Sequence, residues 1–166
     1  MDDGFAEYVA HRHLPLCRMA YLLVRDWGTA EDLVQTALAK AWVAWRRIEG
    51  NPDPYVYRII VNTHASWWRR RWRGEIPAGT VPDTADPRDP AAEADDQAAM
   101  WTAIGTLSAR QRAVVVLHYF EGRTLTQVAD IVGCSLGTVK TQLSRALTRL
   151  RVDPDIQTMN LERVQR

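Results

Sequence analysis

Hydrophobic residues recur at steps of three and four positions through most of this 166-residue chain, which is the spacing that brings side chains onto one face of an α-helix. The longest regular stripe lies near the C-terminus and comprises Leu136, Val139, Leu143, Ala146, Leu147 and Leu150. No stretch of useful length alternates between apolar and polar residues, as a half-buried strand would. The pattern therefore predicts an all-α protein.

Two shorter stripes predict helices in the N-terminal half. The first comprises Leu16, Met19, Ala20 and Leu23, and the second comprises Val34, Ala37, Leu38, Ala41 and Trp45. Between them, Asp26-Trp27-Gly28 interrupts the pattern, and Thr29 with Asp32 has the composition of a helix N-terminus. We therefore expect Thr29 to cap the second helix, which is expected to run from Ala30 to Arg47.

A third long helix is predicted after the loop Glu49–Pro54. Asp53 is expected to be its N-cap and Pro54 its first helical residue, a position where the missing N–H of proline costs nothing. The inner face is expected to comprise Val56, Ile59, Ile60, Thr63 and Trp67. The outer face is expected to present Arg58, Val61, Asn62, Ala65, Arg69 and Trp72.

The end of this third helix, Trp67–Arg73, interleaves aromatic and guanidinium side chains. Aromatic planes stack on unpaired bases, and guanidinium groups attract both phosphates and ring faces, so the run has the chemistry of a single-strand nucleic-acid site. A basic helix end also complements the helix dipole without any ligand, with Trp67 and Trp68 then belonging to the core. Both interpretations remain open at this point.

Helix start and stop signals lie close together between residues 124 and 135. Thr124 and Gln127 form a capping-box pattern, Gly133 can adopt the left-handed conformation that ends a helix, and Ser135 can cap the next one. A short glycine-containing turn between two helices is the geometry of a helix-turn-helix, whose second helix enters the major groove of DNA.

The face of this second helix opposite its apolar stripe carries Gly137, Thr138, Thr141, Ser144, Arg145 and Thr148. Hydroxyl and guanidinium groups suit base edges and phosphates, and acidic residues are missing from this face. A polar face on an isolated helix is more often just solvated surface. The preceding helix and turn, together with the missing acids, favour DNA binding here.

Charge divides the chain into three blocks although the net charge is only +1. Residues 1–73 carry 11 basic and 8 acidic side chains, residues 74–96 carry 1 and 7, and residues 97–166 carry 9 and 5. The acidic block also contains four prolines and two glycines within residues 74–90, a composition that disfavours a packed core. We therefore expect helical modules at 1–73 and 97–152, a linker at 74–96 and a tail at 153–166.

Composition makes several other functions unlikely. The sequence lacks the pattern of a signal peptide and any long apolar run, so we expect a soluble, cytoplasmic protein without a membrane partner. Cys17 and Cys134 do not form a disulfide framework, and His11, His13 and Cys17 lack the fourth ligand of a structural zinc site. No nucleophile–base pair or carboxylate cluster is evident, so we expect no enzyme, metal, cofactor or small-molecule substrate.

Taken together and in this order, three segments resemble the extracytoplasmic-function (ECF) sigma factors of bacterial RNA polymerase, which have only sigma regions 2 and 4. The resemblance covers roughly residues 5–152 and implies two small helical domains. Residues 30–42 resemble the helix that binds the clamp helices of the largest polymerase subunit. Residues 55–62 resemble the helix that recognises the melted −10 element. Residues 107–150 resemble the region that binds the −35 element.

The resemblance also implies site residues. The polymerase-binding positions are Glu31, Asp32, Gln35 and Thr36. The −10 positions are Asn51, Tyr55, Arg58, Asn62, Arg69, Arg70, Trp72 and Arg73. The −35 positions are Ser135, Thr138, Lys140, Thr141, Ser144 and Arg145. Family members use the loop corresponding to Glu49–Pro54 to capture one flipped base of the non-template strand.

The partners that the resemblance implies are promoter DNA, core RNA polymerase through its clamp helices and flap region, and an anti-sigma factor. One alternative remains, because Leu107–Leu150 also resembles the DNA-binding domain of LuxR-type regulators. Such a regulator binds duplex DNA without polymerase. It would leave residues 30–42 and the aromatic-basic run at 67–73 without a role.

Overall fold

The structure is a computed structural model that describes residues 3–72, 100 and 102–152. Its contacts divide the chain into two units, Met1–Thr80 and Val81–Arg166. Throughout the described residues all regular structure is helical, which confirms the predicted fold class. Arg73, the predicted linker and the predicted tail lie outside the described residues.

Three α-helices build the first unit where the structure describes it, over residues 3–72. They are α1 at Asp3–Val24, α2 at Trp27–Ala44 and α3 at Asp53–Trp72. Helix α2 packs against both of the others and ends in a 3₁₀ turn at Trp45–Arg47. The two stripes predicted for α1 and α2 form the core, since all of their members except Trp45 are buried.

The predicted start of α2 is wrong by three residues. The helix begins at Trp27 because Asp26 is its N-cap, with a carboxylate oxygen that accepts from both the backbone N–H and the hydroxyl of Thr29, at 2.8 and 2.6 Å. Thr29 therefore serves as a donor inside the first turn. The predicted cap pair of Thr29 and Asp32 fails because the stronger acceptor, a carboxylate, lies one turn earlier.

Helix α3 differs from the prediction in two respects. It begins at Asp53, one residue early, and its buried face is shifted from the predicted stripe. Of the predicted inner residues Val56 and Ile60 are buried, whereas Ile59, Thr63 and Trp67 are only half-buried. Val61, predicted to face outward, is buried, as are Tyr57 and His64. The extra burial arises because α3 lies against both α1 and α2, so more than one stripe of its surface is covered.

The second unit contains α4 at Ala109–Val115, α5 at Leu125–Val132 and α6 at Leu136–Val152. Helix α4 continues as a π-helical turn at Val116–Phe120. The core that joins α4 to α6 comprises Ala103, Leu107, Val115, Ala146 and Leu150. Of the stripe predicted for α6, Ala146, Leu150 and the half-buried Leu143 face this core. Val139 is also buried, Leu147 is half-buried, and the first residue, Leu136, is exposed.

The helix-turn-helix signals are confirmed. Thr124 and Gln127 form the predicted capping box, and Gly133 ends α5 in the left-handed conformation at φ 76°. Ser135 caps α6 by accepting a hydrogen bond from the N–H of Thr138 at 3.1 Å. A second capping box, between Ser108 and Gln111 at the start of α4, carries the same sequence signal and was not predicted.

Both cysteines are free thiols, but their surroundings differ. Cys17 is buried in the core of the first unit, whereas Cys134 is half-buried in the helix-turn-helix turn. Burial, and then the charge of Glu31, raises the pKa of the Cys17 thiol to about 11. A thiol reacts with alkylating agents as its thiolate, so Cys17 is expected to be unreactive in the folded protein.

We expect iodoacetamide at pH 8 to modify Cys134 while Cys17 remains unmodified until the protein unfolds, which peptide mass spectrometry can measure. An unfolded chain releases the Cys17 proton near the ordinary thiol pKa of about 8.5. The stabilisation from the protonated, buried thiol is therefore complete below that pH and is lost as the pH rises towards 11. Equal modification of both cysteines under native conditions would contradict this prediction.

Candidate nucleic-acid interfaces

The turn before α6 fixes the direction of that helix. The N–H groups of Gly133 and Cys134 both donate to the carbonyl of Ala129, at 2.8 and 3.1 Å, which closes the end of α5. Gly133 needs its positive φ for this geometry, a conformation that costs any other L-residue energy. Two residues later Ser135 starts α6, so the whole connection is set by local hydrogen bonds.

The six −35 positions lie together on and before the first half of α6. Ser135, Lys140, Thr141, Ser144 and Arg145 are exposed, and Thr138 is half-buried. Three of the hydroxyls are already engaged within the chain. Ser135 and Thr138 lie 2.9 Å apart, and the hydroxyl of Thr141 donates to the carbonyl of Gly137 at 3.0 Å. These hydroxyls keep acceptor capacity, whereas Lys140 and Arg145 supply donors.

From its middle onward, the same face carries a shallow, cationic depression of about 400 Å³, lined by Ser144, Arg145, Thr148 and Arg149. The sequence of α6 contains no acidic residue, so neither arginine has a carboxylate partner one turn away on its own helix. Two guanidinium groups beside hydroxyls form a surface suited to a phosphate backbone and base edges. Thr148 and Arg149, which were not among the predicted −35 positions, line this depression beside two that were.

The −10 positions are distributed along α3. Arg58, Asn62, Arg69 and Arg70 are exposed, Tyr55 is half-buried, and Asn51 is exposed in the preceding loop. Trp72 is the last residue of α3, and Arg73 lies outside the described residues. Trp67 and Trp68 are half-buried, so neither is a simple core residue. The exposed cations follow one another along the outer side of the helix.

A pocket of about 600 Å³ opens where the loop meets α3, and three −10 positions meet there. Its lining residues are Ala44, Arg47, Ile48, Glu49, Asn51, Pro54, Tyr55 and Arg58. Tyr55 offers an aromatic plane, Asn51 an amide, and Arg47 and Arg58 guanidinium groups. Stacking planes with convergent polar groups are what a pocket for an unstacked base needs. Sequence patterns did not indicate Arg47 or Ile48, because these residues reach the pocket only through the 3₁₀ turn that follows α2.

The polymerase-binding positions lie on adjoining turns of α2. Asp32 and Gln35 are exposed, whereas Glu31 and Thr36 are half-buried. The carboxylate of Glu31 accepts a hydrogen bond from the indole N–H of Trp27 at 2.7 Å, and the Thr36 hydroxyl donates to the carbonyl of Asp32 at 2.9 Å. The side chains that project fully from this surface are therefore Asp32 and Gln35.

A polar cluster behind the pocket was missed by the sequence analysis. Asp53, only 8% exposed, forms an ion pair with Arg12 at 3.0 Å between Nη2 and Oδ2. The hydroxyl of Tyr8 donates to the same carboxylate at 2.8 Å. Burial, and then the hydrogen bond to Asp53, raises the pKa of Tyr8 above its ordinary value, so its hydroxyl stays protonated as the donor.

Two features associated with other functions are absent from the part of the chain that the structure describes. The described residues contain no grouping of three or more His, Cys, Asp or Glu side chains that could hold a metal ion. Their helices are also too short or too polar to cross a membrane.

Comparisons with known proteins agree with the two-unit arrangement. A family model described as Sigma-70 region 2 matches residues 9–74, and one described as Sigma-70, region 4 matches residues 97–150. The RNA polymerase sigma-E factor of Streptomyces coelicolor is 40% identical, over 98% of this chain and 94% of that protein. The ECF RNA polymerase sigma factor SigL of Mycobacterium tuberculosis is 31% identical, over 82% of this chain and 81% of its own length.

A solved structure shares the fold. The sigma factor RpoE of Bartonella quintana, crystallised with the anti-sigma factor NepR, matches with a TM-score of 0.77 and 28% identity. The match covers 95% of this chain and 99% of that one.

Proposed function

Because the chain belongs to the extracytoplasmic-function sigma factors of bacterial RNA polymerase, we propose a division of promoter recognition between its two units. The protein is an alternative sigma factor that acts with RNA polymerase to direct transcription initiation. The first unit binds core polymerase and the melted −10 strand. The second unit binds the −35 element as duplex. The polymerase supplies the chemistry, so the sigma factor itself performs no catalytic step, and it works in the cytoplasm where that enzyme acts.

The pocket beside α3 is the observation that carries this proposal. In it, one base of the non-template strand leaves the stack and lies against the ring of Tyr55, with Asn51 and Arg47 able to donate to its edge. Arg58, Asn62, Arg69 and Arg70 then follow the strand along α3 and neutralise its phosphates. A pocket can hold a base only after that base has left the duplex, so the pocket binds open DNA and not closed DNA.

Promoter melting then requires no energy source beyond differential affinity. Because the pocket and α3 bind the open strand more tightly than the duplex, they shift the equilibrium between closed and open promoter. The −35 contacts of α6 hold the same promoter in register without favouring either state. The linker, in this proposal, lies near the polymerase active cleft and the RNA exit path.

Polymerase binding is proposed for the exposed part of α2. Asp32 and Gln35 face a basic partner helix on the clamp, while Glu31 and Thr36 support them from within the chain. The second unit is proposed to contact the flap region. An anti-sigma factor is a further proposed partner, supported by the structural likeness to RpoE in its complex with NepR.

The LuxR-type alternative is not favoured, because both sigma regions match and the sigma relatives span nearly the whole chain. Binding to duplex DNA, measured with and without core polymerase, distinguishes a sigma factor from a LuxR-type regulator. We expect the purified chain to shift promoter duplex weakly by itself and strongly with core polymerase, in a gel-shift assay at fixed salt. Transcription from that promoter in vitro should need both components. Equally tight duplex binding with and without polymerase would sink the proposal.

A further inference from the structure

The start of α3 forms part of the pocket proposed to hold an unstacked base, here called the base pocket. It is bonded to helix α1. Asp53 is the first residue of α3, and its neighbours Asn51, Pro54 and Tyr55 all line the pocket. Its carboxylate is bound by side chains of α1. There Arg12 engages both oxygens, Nε with Oδ1 at 3.1 Å and Nη2 with Oδ2 at 3.0 Å. Such a two-pronged contact fixes the orientation of a carboxylate as well as its position.

The other wall of the pocket is formed by the 3₁₀ turn that follows α2, and this turn contacts the same part of α1. Trp45 opens the 3₁₀ turn that carries Arg47, and its ring lies 5.3 Å, centroid to centroid, from the ring of Tyr8. The hydroxyl of Tyr8 donates to Asp53 at 2.8 Å. One side chain of α1 therefore touches both the turn that forms one wall and the helix start that forms the other.

Asp53 is connected directly to one of the residues that line the pocket. The backbone N–H of Asp53 donates to the side-chain oxygen of Asn51 at 3.0 Å, so a shift of Asp53 moves the Asn51 amide. Arg12 also donates to the hydroxyl of Tyr57, which is buried in the core of the first unit. The cluster of Tyr8, Arg12 and Asp53 is therefore held in place by Tyr57 in the core and is connected to the pocket through Asn51.

We propose that Tyr8 and Arg12 are positioning residues for the base pocket: through Asp53 and Trp45 they set the separation of its two walls and thus its preference for an inserted base. This inference rests on the proposed function. A partly buried ion pair such as this one by itself often adds little to stability compared with apolar side chains of the same size. Its place here gives it a different effect, because it is connected through Asp53 to Asn51, which lines the pocket, and through Tyr8 to Trp45, which begins the turn that carries the lining residue Arg47.

The test measures a ratio of affinities. The full chain is assembled with core polymerase and bound to promoter DNA whose −10 region is single-stranded on the non-template strand. Each position of that strand is replaced in turn by an abasic site. The affinity for intact strand divided by that for the abasic strand reports base capture. Because a misfolded fraction lowers both affinities equally, the ratio is insensitive to a purely structural defect.

Four variants accompany the wild type. Tyr55→Ala removes the stacking plane itself. Tyr8→Phe keeps the ring against Trp45 but removes the donor to Asp53. Arg12→Gln removes the charge and the two-pronged contact. Arg18→Gln is the matched control, an exposed arginine on the same helix.

At the one position where the wild type prefers a base, we expect the ratio to fall about threefold in Tyr8→Phe and about tenfold in Arg12→Gln, because only part of the stabilisation lost with hydrogen bonds to a charged group is transmitted to the pocket. It should remain unchanged in Arg18→Gln. If Arg12→Gln fails to fold, Tyr8→Phe decides. Ratios equal to wild type in both α1 variants, with the preference abolished in Tyr55→Ala, would overturn the positioning role and leave the pocket assigned. A wild-type ratio of one at every position would overturn the pocket as well.

Discussion

Replacing Arg112 by Met is expected to destabilise the second unit by about 2–6 kcal/mol, since two buried backbone acceptors lose their donor at about 1–3 kcal/mol each. Arg112 is 3% exposed. Its Nε donates to the carbonyl of Ile104 at 3.2 Å, and its Nη2 donates to those of Gly105 and Leu107 at 3.0 and 3.2 Å. One guanidinium therefore holds the connection that leads into α4, and methionine of similar length fills the space without donating.

A loss of this size is a large part of the total stability of a small domain, which is commonly about 5–15 kcal/mol. Hydrogen exchange of the α5 and α6 amides is the suitable measurement, because it reports on the second unit alone. Arg110→Met is the matched control, because Arg110 lies two residues earlier on the same helix and is exposed. We expect fast exchange and loss of −35 binding only in the Arg112 variant. Identical exchange rates in the two variants would show that the three hydrogen bonds are dispensable.

Arg110 and Arg112 differ in burial in a way that the sequence alone could not predict. Both are arginines in the first turns of one helix, and nothing local distinguishes them. One is exposed, and the other is buried because the chain before α4 folds back over it. That path depends on tertiary packing, so periodicity alone could not identify the structural role of Arg112.

The helix-turn-helix was predictable residue by residue because its determinants are local. The capping box of Thr124 with Gln127 and the cap at Ser135 each act within three residues. Gly133 acts through its own backbone angle. Such signals depend little on the rest of the fold, so the predicted ends of α5 and the start of α6 are correct. The start of α2 was wrong for the same kind of reason, since Asp26 competed with Thr29 within one turn.

The base pocket was predictable only in part. The loop and the positions Asn51, Tyr55 and Arg58 followed from the resemblance, and the structure brings all three to one pocket. The hydrogen bonds that hold Asp53 beside the pocket could not be predicted, because Tyr8 and Arg12 are separated from Asp53 by 45 and 41 positions. A contact at that distance depends on how α1 crosses α3. The sequence shows an exposed-looking Arg and Tyr on α1 and gives no sign that they meet an aspartate.

Replacing Arg145 by Ala is expected to weaken −35 binding by the polymerase complex about five- to 150-fold, the equivalent of the 1–3 kcal/mol of one good guanidinium–base contact. Arg145 is exposed on the face of α6 that carries the other −35 positions, and it lines the cationic depression with Ser144, Thr148 and Arg149. No acidic residue of α6 competes for its guanidinium. The side chain is therefore available to DNA without first breaking an ion pair within its own helix.

The way in which DNA binding weakens in this variant shows whether Arg145 contacts a base or a phosphate. If Arg145 meets a base edge, Ala removes the preference at one −35 position while the dependence of binding on salt changes little. If it meets a phosphate, binding weakens equally for all sequences, and the slope of log affinity against log salt falls by about one. Competition binding with singly substituted −35 duplexes at several salt concentrations separates these cases, with Arg110→Ala as the control on the same unit. Unchanged affinity, preference and salt slope would remove Arg145 from the interface, and with it the proposed orientation of α6 in the major groove.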